Sequence, residues 1–146
     1  MRVVVQRASN VSILIDNKET RSIDKGLVVL LGITKEDSEK DIDYIIKKIT
    51  NLRIFEDENG KMNYSVKDIK GSLMIVSQFT LYADTSKGNR PYFGDRISFE
   101  DAKKIYDTFI DRLNNEDVPF KTGEFGSDMR ITLTNEGPVT IIIDSK

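Results

Sequence analysis

Gly71-Ser72-Leu73-Met74-Ile75-Val76-Ser77-Gln78-Phe79-Thr80-Leu81 sets an apolar run against a polar end. Four apolar residues in a row, 73–76, read as a strand buried on both faces. Beyond Val76 the stretch turns polar while keeping an aromatic residue, which makes it a place to build a site. If the strand runs on to Thr80, its side chains alternate between faces. Gln78 and Thr80 then point one way, and Ser77 and Phe79 the other. Hydrogen-bonding groups are offered on both sides, with backbone amides beside them. The plainer alternative is that these polar residues simply end a strand.

Working outward, hydrophobic periodicity sorts the rest of the chain. Residues 2–8 read as a strand, Ser9-Asn10 as a turn, and Val11, Ile13 and Ile15 as the buried face of a second strand. Residues 19–23 form a short returning strand, and 27–33 are apolar throughout, a strand covered on both faces. Over 38–51, Ile42, Ile45, Ile46 and Ile49 make one stripe of a helix. Asp37, Glu39 and Asp41 crowd its first turn, where the helix dipole favours negative charge. A hairpin follows, from Arg53 through a turn at 56–60 and back over 61–66. On the other side of the central stretch, 83–95 is a loop without periodicity, long enough to suspect function. Ser98 caps a second helix whose stripe is Ala102, Ile105, Tyr106, Phe109 and Leu113. Strands at 118–122, 129–134 and 139–143 complete the chain, the last two joined through Asn135-Glu136-Gly137-Pro138. This alternation predicts an α/β protein of the α+β type, with packed sheets and both helices segregated to one side. No repeat or linker interrupts residues 1–146, which are expected to form a single domain.

The composition excludes more than it selects. The chain has no histidine and no cysteine, which removes Ser-His-Asp triads, Cys-His pairs and the usual nitrogen or sulfur zinc ligands. An enzyme built from it needs carboxylates, lysine, a metal on oxygen ligands or the substrate itself for proton transfer. The formal net charge of -2 gives no global attraction to nucleic acid, so a polyanion must meet a local patch. Lys87-Gly88-Asn89-Arg90-Pro91, with Arg96 beyond, offers one, though such a run also suits an ordinary solvated loop. No apolar run reaches the ~20 residues of a membrane-spanning helix. Without cysteine or a signal peptide, the expected location is the cytoplasm, with no membrane partner. No carboxylate spacing suggests a metal site, and no cofactor is expected.

Gly137-Pro138 falls at a corner between strands, where a residue lacking an N–H is tolerated. Only an X-Pro bond adopts the cis form at low cost. A cis bond would aim the two carbonyls the same way, whereas a trans-proline turn is the commoner case.

Taken together, the opening 1–8, Ser77-Gln78-Phe79-Thr80-Leu81, Lys87-Gly88-Asn89-Arg90-Pro91, residues 122–129 and Asn135-Glu136-Gly137-Pro138-Val139-Thr140 resemble the D-aminoacyl-tRNA deacylase family over essentially the whole chain. Ser127 stands where that family usually has alanine, and Asn89 where a basic residue is frequent. The resemblance implies a three-layer β/β/α sandwich of two β layers and one helical layer. It also implies a homodimer with active sites at its interface, acting on the ester between a D-amino acid or glycine and the 3′-terminal adenosine of tRNA. Ser77, Gln78, Phe79 and Thr80 are then the catalytic residues, and Gly137 and Pro138 a cis pair entering the partner's pocket. Arg7 holds that pair and Met129 walls the pocket. The alternatives are a relative with a trans Gly-Pro that admits some L-amino acids, a non-catalytic RNA-binding module using 87–96, and a carboxylate metal hydrolase.

Overall fold

The computed structural model describes residues 1–94 and 97–146. Asp95 and Arg96, the end of the expected loop and the outermost member of the expected basic patch, lie outside the described residues.

Strand β1 (Arg2–Ile15) and strand β2 (Glu19–Gly32) form one long antiparallel hairpin, paired from Arg2↔Gly32 to Ile15↔Glu19. Its turn places Asp16 and Asn17 at φ of 48° and 55°, and the Lys18 amide donates to the Ile15 carbonyl at 2.9 Å. Two successive positive φ values give the turn whose twist matches the flanking strands. Helix α1 (Glu39–Asn51) follows, then the short strands β3 (Phe55–Glu56) and β4 (Met62–Tyr64), which pair only with each other. Strand β5 (Ser72–Ser77) joins β2 in parallel, and a 3₁₀ turn (Phe79–Tyr82) leaves its end. Helix α2 (Phe99–Leu113), strand β6 (Phe120–Thr122) and strand β7 (Met129–Asp144) close the chain. The main sheet has the order β6-β5-β2-β1-β7.

Three expected breaks are not breaks. The first is Ser9-Asn10, where Asn10 takes φ of 50° inside β1 and the register with β7 shifts between Ser9 and Ser12. This is a bulge rather than a turn. The second is residues 24–26, which stay in β2, where Gly26 pairs with Ser72 so closely that a Cβ would lie 1.7 Å from the Ser72 carbonyl oxygen. The third is residues 135–138, which bend within β7 without ending it. Ten expected strands therefore become seven among the described residues. The central strand is shorter than its reading. It stops at Ser77, so the alternation of Ser77, Gln78, Phe79 and Thr80 across two sheet faces does not occur.

Both helices lie on one face of the main sheet. Ile42, Ile45, Ile46 and Ile49 of α1 join Tyr106, Phe109 and Leu113 of α2 in one cluster with Val3, Val5, Leu27, Val29, Leu73 and Ile75. Each such aliphatic side chain contributes about 1.5–3 kcal/mol on burial. Ile105, expected in the same stripe, is only half-buried. The other face has its own cluster, in which Val11, Ile13, Ile15 and Ile23 of the outer hairpin meet Val28, Met74 and Val76, flanked by Met129, Ile131 and Leu133. The second β layer thus comes from the far half of the β1–β2 hairpin and the start of β7, continuous with the main sheet. Ser98 Oγ caps α2 by accepting the Asp101 amide at 3.1 Å, and this fixes where α2 begins.

Candidate functional site

The carboxyl end of β5 opens onto a cleft of about 1080 Å³. Ser77, Gln78 and Phe79 form its inner wall, residues 92–94 and the first turn of α2 its rim, and 125–129 its far side. Parallel pairing of β5 with β2 brings this end to the sheet margin, where the Gln78 amide donates to the Leu31 carbonyl at 2.8 Å as the last rung. Gln78 then takes φ -145° and ψ 82°, and the chain tightens into the 3₁₀ turn, which opens with Phe79 and Thr80. The first N–H groups of any helix find no acceptor in their own helix. The Leu81 amide already bonds back to the Gln78 carbonyl at 3.3 Å, so the amides of Phe79 and Thr80 head the turn.

The side chains around these amides are ordered by one another. The Gln78 side-chain amide donates to the Thr80 hydroxyl, and Phe79 packs edge-on against Phe93 with ring centroids 5.3 Å apart. Thr80 itself is exposed and does not line the cleft. Met129 does line it, with its sulfur seated on Gly123, where a Cβ would come within 2.5 Å. Ser127, one of the two departures from the family pattern, also lines the cleft. Tyr82 borders it with a hydroxyl pushed up to about 12, first by burial and then by the charge of Asp37, so it stays protonated at neutral pH. Asp84 is held below the usual carboxylate range by hydrogen bonds from the Ser86 side chain and amide. Among the described residues no three carboxylates gather into a metal-sized group.

Arg2 braces the turn from outside. Its Nη1 donates to the Leu81 carbonyl at 3.3 Å, its guanidinium lies 5.4 Å from the Tyr82 ring centroid, and its Nε pairs with Asp144 at 2.7 Å. Sequence reading missed this brace, because nothing in a strand's second residue marks which turn it will meet.

The remaining site residues form a second group. Arg7 donates from Nε to the Glu136 carbonyl at 3.0 Å and from Nη1 to the Ile54 carbonyl at 2.7 Å. A Cβ on Gly137 would lie 3.1 Å from Arg7 Nη2, so glycine lets the arginine pack against the corner. The Gly137–Pro138 bond is cis, and both residues are exposed. Asn135, also missed from the sequence, ties the corner: its side-chain carbonyl accepts the Val139 amide at 3.0 Å and its amide donates to the Thr140 hydroxyl at 3.0 Å.

The two groups do not meet within one chain. Ser77 pairs with Leu31, Leu31 with Val3 and Val3 with Ile143, whereas the corner lies between Ala8↔Asn135 and Gln6↔Thr140. Three strand spacings across and three to five residues along separate them by roughly 20 Å.

Comparison with known proteins gives a consistent picture. The profile of the family described as D-Tyr-tRNA(Tyr) deacylase matches residues 4–144. A D-aminoacyl-tRNA deacylase of Finegoldia magna is 55% identical over 146 residues, covering 100% of this chain and 99% of that one. The solved structure of a c-Myc DNA unwinding element binding protein superposes with a TM-score of 0.92 at 41% identity, covering 100% of this chain and 99% of that one. One of a probable eukaryotic D-amino acid tRNA deacylase shares the fold, with a TM-score of 0.81 at 17% identity and 97% of each chain covered.

Proposed function

The chain belongs to the D-Tyr-tRNA(Tyr) deacylase family, and on that premise we propose that it hydrolyses the ester joining a D-amino acid, or glycine, to the 3′-terminal adenosine of tRNA. It acts as a homodimer in the cytoplasm, with each site built from the cleft of one subunit and the Gly137–Pro138 corner of the other. The observation that carries this reading is the separation of cleft and corner by roughly 20 Å in one chain. An exposed corner, held by Arg7 and Asn135 outside the cleft of its own chain, has the form of half a site.

The chemistry follows from what the chain lacks. With no histidine or cysteine, the commonest side-chain bases for a water or a hydroxyl are missing. The substrate brings one polar group of its own, the ribose 2′-hydroxyl, which both donates and accepts. Water adds to the ester carbonyl carbon and yields a tetrahedral oxyanion. The oxyanion then collapses, the bond to the 3′-oxygen breaks, the proton given up by the attacking water reaches that oxygen through the 2′-hydroxyl, and a free amino acid and a free 3′-hydroxyl leave. The Phe79 amide, on the cleft wall, stabilises the oxyanion, a contribution of about 10²–10³ in rate for one donor, and the Thr80 amide beside it meets the ribose. Ser77 and Gln78 order the pocket, and Gln78 holds the Thr80 hydroxyl to one side.

Selectivity comes from exclusion. The carbonyls of Gly137 and Pro138, set close to the α-carbon, leave no room for an L side chain, while a D side chain points away and hydrogen fits. Met129 closes the pocket on the opposite side. The test compares D-Tyr-tRNA, L-Tyr-tRNA and D-Tyr-tRNA ending in 2′-deoxyadenosine, using purified, metal-stripped protein. Rapid hydrolysis of the first alone is expected. Equal hydrolysis of both enantiomers overturns the exclusion, and undiminished hydrolysis of the deoxy ester overturns the role of the ribose.

A further inference from the structure

Large hydrophobic side chains are seldom left exposed together without a purpose. Among the described residues three exposed aromatic rings, Phe79, Tyr92 and Phe99, line the same cleft, at 55%, 61% and 57% exposure. Phe79 belongs to the chemistry already described, but Tyr92 and Phe99 have no part in it. Both are nevertheless held in place. A Cβ on Gly94 would lie 1.8 Å from the Tyr92 hydroxyl, so the Tyr92 side chain rests on a glycine. Paired hydrogen bonds between the backbones of Asp84 and Tyr92, at 3.0 and 2.9 Å, pin the loop beneath it. Phe99 lies against Gly126, whose Cβ would come within 2.7 Å of its ring, and packs edge-on against Phe125 at 5.1 Å. Rings immobilised in this way lose little entropy when something stacks on them.

The cleft of one chain, before a partner's corner enters it, is wide. Its volume of about 1080 Å³ sits at the top of the range for a pocket enclosing a whole drug-sized ligand, about 300–1,000 Å³. The loop carrying Tyr92 also carries Lys87 and Arg90, both exposed, and neither is ion-paired among the described residues. Exposed rings along a wide cleft, on a loop that also carries exposed cations, are the features that hold unpaired nucleotides. Bases stack on the rings and phosphates meet the cations.

We infer that Tyr92 and Phe99 form a stacking platform for an unpaired base of the tRNA 3′ end, adjacent to the terminal adenosine, with Lys87 and Arg90 beside its phosphates. This rests on the deacylase reading for the identity of the strand, but not for the stacking itself. The platform adds affinity for the tRNA without touching the ester, so its loss appears in KM and not in kcat.

The experiment compares two substrates, D-Tyr-tRNA and the D-Tyr ester of adenosine alone, with wild type, Tyr92→Ala, Phe99→Ala and Tyr92→Phe. Tyr92→Ala is expected to raise KM for the tRNA at least about tenfold more than KM for the adenosine ester, the size of one lost base-on-ring stack. Phe99→Ala is expected to act in the same direction, and Tyr92→Phe, which keeps the ring, to restore the wild-type ratio. Equal changes on both substrates, or none on the tRNA, overturn the inference. Calorimetric binding of the RNA trinucleotide CCA provides a readout independent of hydrolysis. If the wild type cleaves neither ester, the deacylase reading fails, and the trinucleotide still decides here. Weaker binding by Tyr92→Ala sustains the platform, whereas equal binding or no binding by the wild type removes it.

Discussion

Asp41 is a buried carboxylate, 6% exposed, in the first turn of α1. Burial opposes its charge, but the Ser145 hydroxyl at 2.7 Å, the Ser38 hydroxyl at 2.7 Å and the Ser38 amide at 2.8 Å all donate to it, and Lys146 lies 3.6 Å away. Together they hold its carboxyl well below the usual carboxylate range. The folded state therefore binds the proton more weakly than the unfolded chain. The stabilisation is complete above the unfolded value of about 3.9 and is lost progressively as pH falls from there through the much lower folded value. Asp41→Asn removes acceptors from buried donors and is expected to lower stability by about 1–3 kcal/mol at neutral pH. Urea midpoints for the two proteins should stay apart at pH 3 and draw together only as pH falls further, towards the much lower folded value. Phe79 is the other residue that decides something alone. Phe79→Pro deletes the N–H at the first position of the 3₁₀ turn. If that amide holds the oxyanion, kcat on D-Tyr-tRNA falls by about 10²–10³. Phe79→Ala, which keeps the N–H and loses the ring, retains far more activity. Thr80→Ala should turn over at near the wild-type rate, since no adjacent base activates that hydroxyl.

A 3₁₀ turn of four residues is too short to hold its own shape, so something must position it. Arg2 does so, through the Leu81 carbonyl and the Tyr82 ring on one side and Asp144 on the other. An ion pair this exposed contributes little to global stability, about 0–1 kcal/mol. Arg2→Met is therefore expected to lower kcat several-fold on D-Tyr-tRNA, with KM and the thermal midpoint almost unchanged, a split that single-turnover kinetics and a melting curve resolve. At this scale the sequence is legible in a particular way. Both helices are plain in the spacing of Ile42, Ile45, Ile46 and Ile49 and of Ala102, Tyr106, Phe109 and Leu113, because burial of a stripe is what forms them. The strands are less so. Asn10 and Gly26 carry the chemistry of turns, but a bulge or a close strand crossing demands the same permissive backbone, and only the partner strand decides between them. Residues 78–80 misled for the opposite reason, since nothing polar in them distinguishes a strand's last rung from the turn that follows.

The arrangement of the site belongs to the whole molecule and is written in no segment. Which of Arg7, Ser77, Gln78, Phe79, Thr80, Met129, Gly137 and Pro138 stand together depends on register across four strands, and register follows from long-range pairing that local pattern does not encode. The split between cleft and corner can be tested by making each half defective in a different chain. Arg7→Ala frees the corner from the Glu136 and Ile54 carbonyls, so homodimers of this variant should cleave L-Tyr-tRNA measurably while still cleaving D-Tyr-tRNA. Homodimers of Phe79→Pro should cleave neither. In a mixed dimer, the intact cleft of the Arg7→Ala chain faces the intact corner of the Phe79→Pro chain, and that one site is wild type in every part. Co-expressing Arg7→Ala chains with an excess of Phe79→Pro chains should therefore abolish most L-Tyr-tRNA cleavage while D-Tyr-tRNA cleavage per Arg7→Ala chain persists. A corner acting on its own subunit's cleft predicts the reverse, with L-Tyr-tRNA cleavage per Arg7→Ala chain untouched by the partner. The ratio of the two activities, followed as the proportion of Phe79→Pro chains rises, separates these geometries without any measurement of structure.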